Sequence, residues 1–323
     1  MHTRVACQRV SDGPAQPPAA IATATHTMHT AARTTVALLA ALTPAAHAQP
    51  TPDPPAAAPK PTHVALPSYT LTTPVSRYQL KFVRIPELEI HGTRVIDGQA
   101  TTVIAHRVPS FYIATTEVTW DCLDPFVYRL DLENPDAEVD ATTRPSKPYI
   151  PPDRGFGHEG YPAISITFRT AQAYCEWLSE KTGLKFRLPT DAEWHHAAAA
   201  GAEPALTRDQ IDALAWHKGN AKAQTHPVKS RPPNAWGLYD MLGNAGEWTV
   251  AHDKTPHLRG GSFTTPLDQL NISLSEKQDP SWNASDPQIP KSKWWLPDAP
   301  FAGFRIVLEA DPKTGEPLKL EKK

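Results

Sequence analysis

The sequence predicts an α+β fold, a single compact and loop-rich domain, on three observations. Short β-branched runs stand near the start of the globular part and again at its end, three amphipathic stretches with helix-capping signals lie between, and proline is abundant throughout. The chain has 35 prolines in 323 residues, about twice ordinary usage, which disfavours a helical bundle and suits short elements joined by ordered loops. Nine Trp and nine Phe supply a core. Charge is nearly balanced, 32 Lys+Arg against 34 Asp+Glu for a net of −2, which argues against a nucleic-acid or anionic-membrane binder. Three cysteines, Cys7, Cys122 and Cys175, are too few and too scattered for a disulfide framework or a four-ligand zinc site.

Residues 1–48 read as a leader. Met28-His-Thr-Ala-Ala-Arg33 is a short charged start, Thr35–Leu42 an apolar run, and Ala46-His47-Ala48 a small-residue cleavage site. Together they predict a secretory signal with translation from Met28, cleavage after Ala48 and a periplasmic or extracellular product. The run falls far short of the ~20 residues that span a bilayer, and no other stretch approaches it, so no transmembrane segment is expected. Residues 49–67 are rich in Pro and Ala and predict an extended spacer. The globular domain is then 68–310, followed by a polar tail at 311–323.

Within it, Tyr78–Ile85, Thr101–Ala105 and Phe111–Ala114 read as strands, with a turn at Asp97-Gly98. Thr119 opens a helix whose Leu123, Phe126, Val127 and Leu130 recur at i, i+3, i+4 and i+7. A second follows Thr167, with Ala171, Tyr174, Cys175 and Leu178 on one stripe and Gly183 as its stop. A third opens on the capping box Thr190-Asp-Ala-Glu193 and ends at Gly201. The next hundred residues are irregular, dense in Gly, Pro, Asn and Trp, until a last strand at Gly303–Leu308.

Six ordered blocks carry a resemblance: Glu117-Val-Thr119, Ala171–Leu178, Arg187-Leu-Pro-Thr-Asp-Ala-Glu-Trp194, Trp236-Gly-Leu-Tyr-Asp-Met-Leu-Gly-Asn-Ala-Gly-Glu-Trp248, Arg259-Gly-Gly-Ser-Phe263 and Gly303-Phe-Arg305. Over roughly residues 78–308 the chain resembles the formylglycine-generating enzyme (sulfatase-modifying factor) domain family. The resemblance implies one α+β domain related to the C-type lectin fold, with little regular secondary structure.

In the enzymes of that family two cysteines bind copper(I), whose softness suits thiolates, and oxidise a sulfatase cysteine to formylglycine. Counted from Ser262, those positions fall on Thr265 and Leu270, neither of which can be a thiolate. The family also places Trp where this chain has Gly246, a wall of the peptide-substrate pocket. Copper chemistry is therefore expected to be absent. The resemblance implies calcium at Asp240, Gly243, Ala245 and Glu247, a mixed carboxylate and carbonyl set that suits a hard cation, and a second calcium site beginning at Asn220-Ala221. Iron is not expected: His195 and His196 are adjacent on a helix and point about 100° apart. Arg187, Glu193, Arg259 and Arg305 read as structural ties, and Ser262 lacks an oriented base. Ser262, Trp282, Trp294 and Trp295 outline a possible cleft for a peptide, protein or carbohydrate. Two functions follow: an exported, calcium-stabilised binding or scaffold module, or a formylglycine-generating oxidoreductase or related non-haem metal enzyme using the same cleft.

Overall fold

The chain builds two sheets and a hairpin in the order its periodicities set. The computed structural model describes residues 64–96, 99–134, 143–146, 148, 151–201 and 206–321, all within the unit Ala56–Lys323. The leader, its cleavage site and the turn at Asp97-Gly98 lie outside the described residues. Strands β1 (Ser68–Thr72), β2 (Gln79–Ile85), β3 (Leu88–Ile96), β4 (Gln99–Val108) and β5 (Phe111–Ala114) come first, then α1 (Trp120–Val127), α2 (Phe168–Thr182), β6 (Phe186–Arg187), α3 (Asp191–Ala199) and α4 (Arg208–Leu214). The chain ends on β7 (Gly246–Val250), β8 (Pro256–Arg259), β9 (Ser275–Lys277), β10 (Ala302–Gly303) and β11 (Val307–Glu309). The larger sheet runs β1-β2-β5-β11-β6, the smaller β10-β7-β8-β9, and β3 pairs with β4 alone.

The helices follow their caps. The Thr167 side chain accepts from Thr170 N–H and Gly183 closes α2 in the left-handed region at φ 71°, where glycine carries no Cβ penalty. Ala171, Tyr174, Cys175 and Leu178 are buried as their spacing requires. At α3 the Thr190–Glu193 box is formed in both directions, but the left-handed cap is Ala200 rather than Gly201 alone. Helix α1 is shorter than its stripe predicts. Arg129 takes φ 58°, the helix ends at Val127, and Leu130 is left half exposed.

The second half holds more structure than its composition suggests. Helix α4 opens on a further capping box, Thr207 with Gln210, legible in the sequence as T-x-x-Q. The predicted strand Gly303–Leu308 is two strands in different sheets, β10 and β11, separated by Phe304–Ile306. The chain changes sheets there because Arg305 turns inward, as described below. Residues 311–321 are not a tail. Leu318 N–H bonds Glu309 O, Lys185 N–H bonds Leu318 O, Leu320 N–H bonds Gly183 O and Tyr112 Oη–H bonds Gly315 O, so the segment pairs onto the domain edge and shares its backbone bonds.

One hydrophobic cluster joins α1 and α2 to Trp248, Trp294, Trp295 and Phe304, and a second lies under α3 around Trp194 and Trp236. Cys122 and Cys175 sit in the first as free thiols. Burial pushes Cys122 up to about 11 and Cys175 higher still, so both behave as small hydrophobes rather than as nucleophiles.

Candidate functional site

Strand β10 runs parallel to β7, Gly303 against Glu247, and this register carries Arg305 to the Glu247 carboxylate. Both are buried, at 0% and 1% exposure. Glu247 Oε1 accepts from Arg305 Nε and Nη2 at 3.1 and 2.6 Å; Oε2 accepts from Arg305 Nε at 2.9 Å and Trp194 Nε1 at 2.7 Å. Three donors, with the Arg305 Nε–H shared between the two oxygens, make four contacts to this carboxylate. Arg305 also donates to Ala114 O and Tyr239 O.

Two more carboxylates approach the same guanidinium. Glu117 Oε1 accepts from Asn244 Nδ2 and Ala245 N–H, and Asp240 Oδ2 accepts from Lys229 N–H. Their other oxygens, Glu117 Oε2 and Asp240 Oδ1, are buried without a hydrogen-bond partner. Burial pushes Glu117 well up, with the Asp240 charge adding to it, and burial pushes Asp240 up to about 6. Three acids around one arginine leave this interior short of positive charge, a cost that a bound cation would relieve.

The loop between them is strained into shape. Asp240, Gly243 and Asn244 all have φ between 53° and 76°. A Cβ on Gly243 would lie 2.1 Å from Trp216 O, so only glycine fits.

Tested against calcium, Asp240 fits, because its Oδ1 is buried without a hydrogen-bond partner and other buried acids lie near it. Glu247 does not offer a free oxygen; the structure spends its carboxylate on Arg305 and Trp194. Glu117, which the sequence places in a conspicuous block without assigning it a part, offers one instead. The second expected ion fares worse: Asn220 Oδ1 accepts from His217 N–H and Ala221 O is bonded by the His226 ring. Among the described residues no group of three or more His, Cys, Asp or Glu side chains converges as a metal cage, so any ion at Asp240 draws on backbone carbonyls as well.

The two oxidase positions do converge. A Cβ built on Gly261 would lie 2.6 Å from Leu270 Cδ2 and 3.0 Å from Thr265 Oγ1, so the side chains flank one point. Thr265 Oγ1 accepts from Ser262 N–H at 3.0 Å, and Leu270 is wholly buried with Ile211, Ala215 and Leu242. Beside them Gly246, Ser262, Thr264, Thr265 and Phe301 line a cavity of about 40 Å³. A Cβ on Gly246 would meet nothing closer than 3.5 Å. A side chain has room to start there, and glycine leaves the cavity open.

The expected cleft residues are not brought to one place. Ser262 is buried, bonded to Thr264 Oγ1 at 2.8 Å, with His257 turned to Ser275 instead. Trp282 packs on Trp248 and on Phe301, at the edge of the small cavity. Trp294 and Trp295 are buried; one borders a cavity with Arg169 and Glu176, the other a separate cavity with Arg154 and Pro297. They are consecutive residues, with Trp295 bridged to Ile166, and extended neighbours point to opposite faces. The predicted ties hold: Arg187 spans Glu193 and Glu309, and Arg259 meets Asp191. His196 Nε2–H donates to Pro86 O, and its ring makes a T-shaped contact with Trp236.

Comparison with known proteins shows the family and the fold. The family model for the sulfatase-modifying factor enzyme 1-like domain matches residues 81–294. Serine/threonine-protein kinase pkn1 of Chlamydia pneumoniae is 39% identical over 146 residues, 38% of this chain and 22% of that protein. The formylglycine-generating enzyme of Mus musculus is 32% identical over 115 residues, 30% of this chain and 29% of that enzyme. The inactive C-alpha-formylglycine-generating enzyme 2 of Bos taurus is 30% identical over 128 residues, 33% and 40% of the two chains. The matched segments thus span less than half the length of each of these relatives. Among solved structures, Treponema denticola variable protein 1 superposes with a TM-score of 0.51 at 21% identity, covering 74% of this chain and 98% of that one, a likeness of fold.

Proposed function

Because the chain belongs to the sulfatase-modifying factor enzyme 1-like family, we propose that it is an exported binding or scaffold module, which keeps the family fold without the copper oxidase chemistry. The observation that carries this reading is the pair at Gly261. Thr265 and Leu270 meet where the family's copper thiolates are expected, and a hydroxyl with a buried isobutyl group cannot hold copper(I) as two thiolates do. Neither described cysteine substitutes, since both thiols are buried with raised pKa values.

Calcium is part of the proposal. Asp240 Oδ1 and Glu117 Oε2 would hold it, with the Gly243 and Ala245 carbonyls beside them. When bound, the ion supplies positive charge to a buried group of three acids. Its role would be structural, tying the loop of Asp240 to the segment between β5 and α1 that carries Glu117. Export is supported by the charged start at Met28–Arg33, the apolar run and Ala46-His47-Ala48; N-terminal sequencing of the secreted product is expected to begin at Gln49, and residues 1–27 still attached would overturn it. No described helix is long and apolar enough to cross a membrane.

The decisive test is incubation of the purified protein with copper(I) and a sulfatase-type cysteine peptide, followed by mass spectrometry. The proposal expects unmodified cysteine. Formylglycine in the product would establish the oxidoreductase reading instead.

A further inference from the structure

Between Asp212 and Asp240 the chain carries no acidic residue, while Lys218, Lys222, Lys229 and Arg231 all fall in that interval. The three lysines are exposed and Arg231 is half-buried. None of the four makes an ion pair among the described residues. Of the flanking acids, Asp212 accepts from the His217 ring at 2.7 Å, and Asp240 is buried, accepting from Lys229 N–H. A chain of net charge −2 thus gathers four unmatched cations on one loop. The loop is fixed in place. Trp216 O accepts from Asn244 N–H, His226 N–H and O both bond the Asn244 side chain, and Trp216 Nε1–H donates to Ser230 Oγ. The His226 ring stacks on Trp216 at 3.7 Å, and the Arg231 guanidinium lies 4.0 Å from the same ring centre. Two groups that close cannot share one face, so the indole is covered on both sides and Arg231 is held upon it. Yet this guanidinium donates to no acceptor among the described residues, and its Nε is buried without a partner. A planar fork of N–H groups stands oriented and unused.

We propose that this loop docks a carboxylate-rich segment of a partner protein, with Arg231 as its anchor. The inference rests on the binding-module reading and supplies the chemistry of the partner. Arginine recognises planar oxyanions through two parallel N–H···O bonds, and one already held by an aromatic stack has less side-chain freedom to lose on binding. Lys218 follows Trp216 by two residues, and the His226 ring bonds Ala221 O beside Lys222, which places these charges around the stack. A small anion meets one such group and each exposed pair alone is worth little, whereas a row of carboxylates meets several. Other occupants suit the surface less. Both faces of Trp216 are covered, so no sugar or nucleobase can stack there. No large hydrophobic side chain of residues 216–231 is exposed, so the loop has nothing to insert among lipid tails.

The test is fluorescence anisotropy of a labelled octaglutamate peptide titrated with the full chain. Binding is expected at low salt, weakening several-fold at about 0.15 M, where screening acts over ~8 Å. Arg231→Lys keeps the charge and loses the fork, and should weaken binding about tenfold. Lys218→Gln with Lys222→Gln, both at exposed positions, should weaken it several-fold without lowering the melting temperature. Lys313→Gln, at an exposed position on the C-terminal segment, should change nothing. Three results would overturn the proposal: no binding by the parent chain, unchanged affinity in either loop variant, or tighter association with phosphatidylglycerol vesicles than with the peptide, which would make the surface a membrane site. Formylglycine formation is read in its own assay, so failure of the module reading is distinguished from failure of this surface.

Discussion

Arg305 and Glu247 form a wholly buried pair in which both carboxylate oxygens are hydrogen-bonded, 58 residues apart in sequence and joined by the parallel register of β10 on β7. Removing one partner of such a pair leaves an uncompensated charge in the interior. Arg305→Met is expected to destabilise the domain by about 3–5 kcal/mol, because Glu247 is left as a buried charge without its cation and Ala114 O and Tyr239 O lose their donors. Urea unfolding at neutral pH measures it, and a change below ~1 kcal/mol would contradict the account of the site.

Calcium should act through Asp240. A ligand that binds only the folded state adds ~2.7 kcal/mol at a hundredfold excess over its dissociation constant. Chelator is expected to lower the melting temperature by several degrees in the parent protein, and Asp240→Ala or Glu117→Gln should remove most of that difference. Identical melting curves with and without chelator would refute it.

Acid stability should depend on Asp131. Burial alone would raise its pKa, but hydrogen bonds from Arg144, Lys181 and Trp177 outweigh burial and hold the carboxyl well below its ordinary range. A carboxylate with a lowered folded pKa stabilises the fold above the unfolded value of ~3.9 and loses that contribution as pH falls through the folded one. The stability difference between the parent and Asp131→Asn should therefore be largest near pH 7 and shrink progressively below about pH 4. A difference that grows on acidification would show that the ion pairs are not the cause.

Restoring thiolates tests the oxidase positions. Thr265→Cys with Leu270→Cys should raise copper(I) affinity, since both side chains flank Gly261, while losing stability because Leu270 fills a buried cluster; Leu→Ala changes in such places cost about 2–5 kcal/mol. Formylglycine production should stay low, because Gly246 leaves the substrate wall open. Copper affinity no better than that of the parent would mean the two positions do not converge in solution.

What the sequence by itself determined was local. Cap residues and apolar spacing set α2 and α3 at Thr167 and Thr190, β5 at Phe111–Ala114, and the ties of Arg187 and Arg259, because each depends on residues within one element or on a charge that burial obliges to pair. The family blocks also made the loss of thiolates at 265 and 270 legible. Tertiary structure alone decided the rest. Whether Glu247 is a free ligand or Arg305's partner depends on the register of β10 on β7, which the two-residue strand does not encode in its own pattern. The part of Glu117 arises only when its block is folded against Asn244. Trp294 and Trp295 read alike as aromatics, yet extended backbone sends them to separate cavities. The polar stretch 311–321 looks like a tail until its backbone groups find Glu309, Lys185 and Gly183. Each of these outcomes rests on long-range pairing of buried polar groups, and which groups meet is set by how the sheets close.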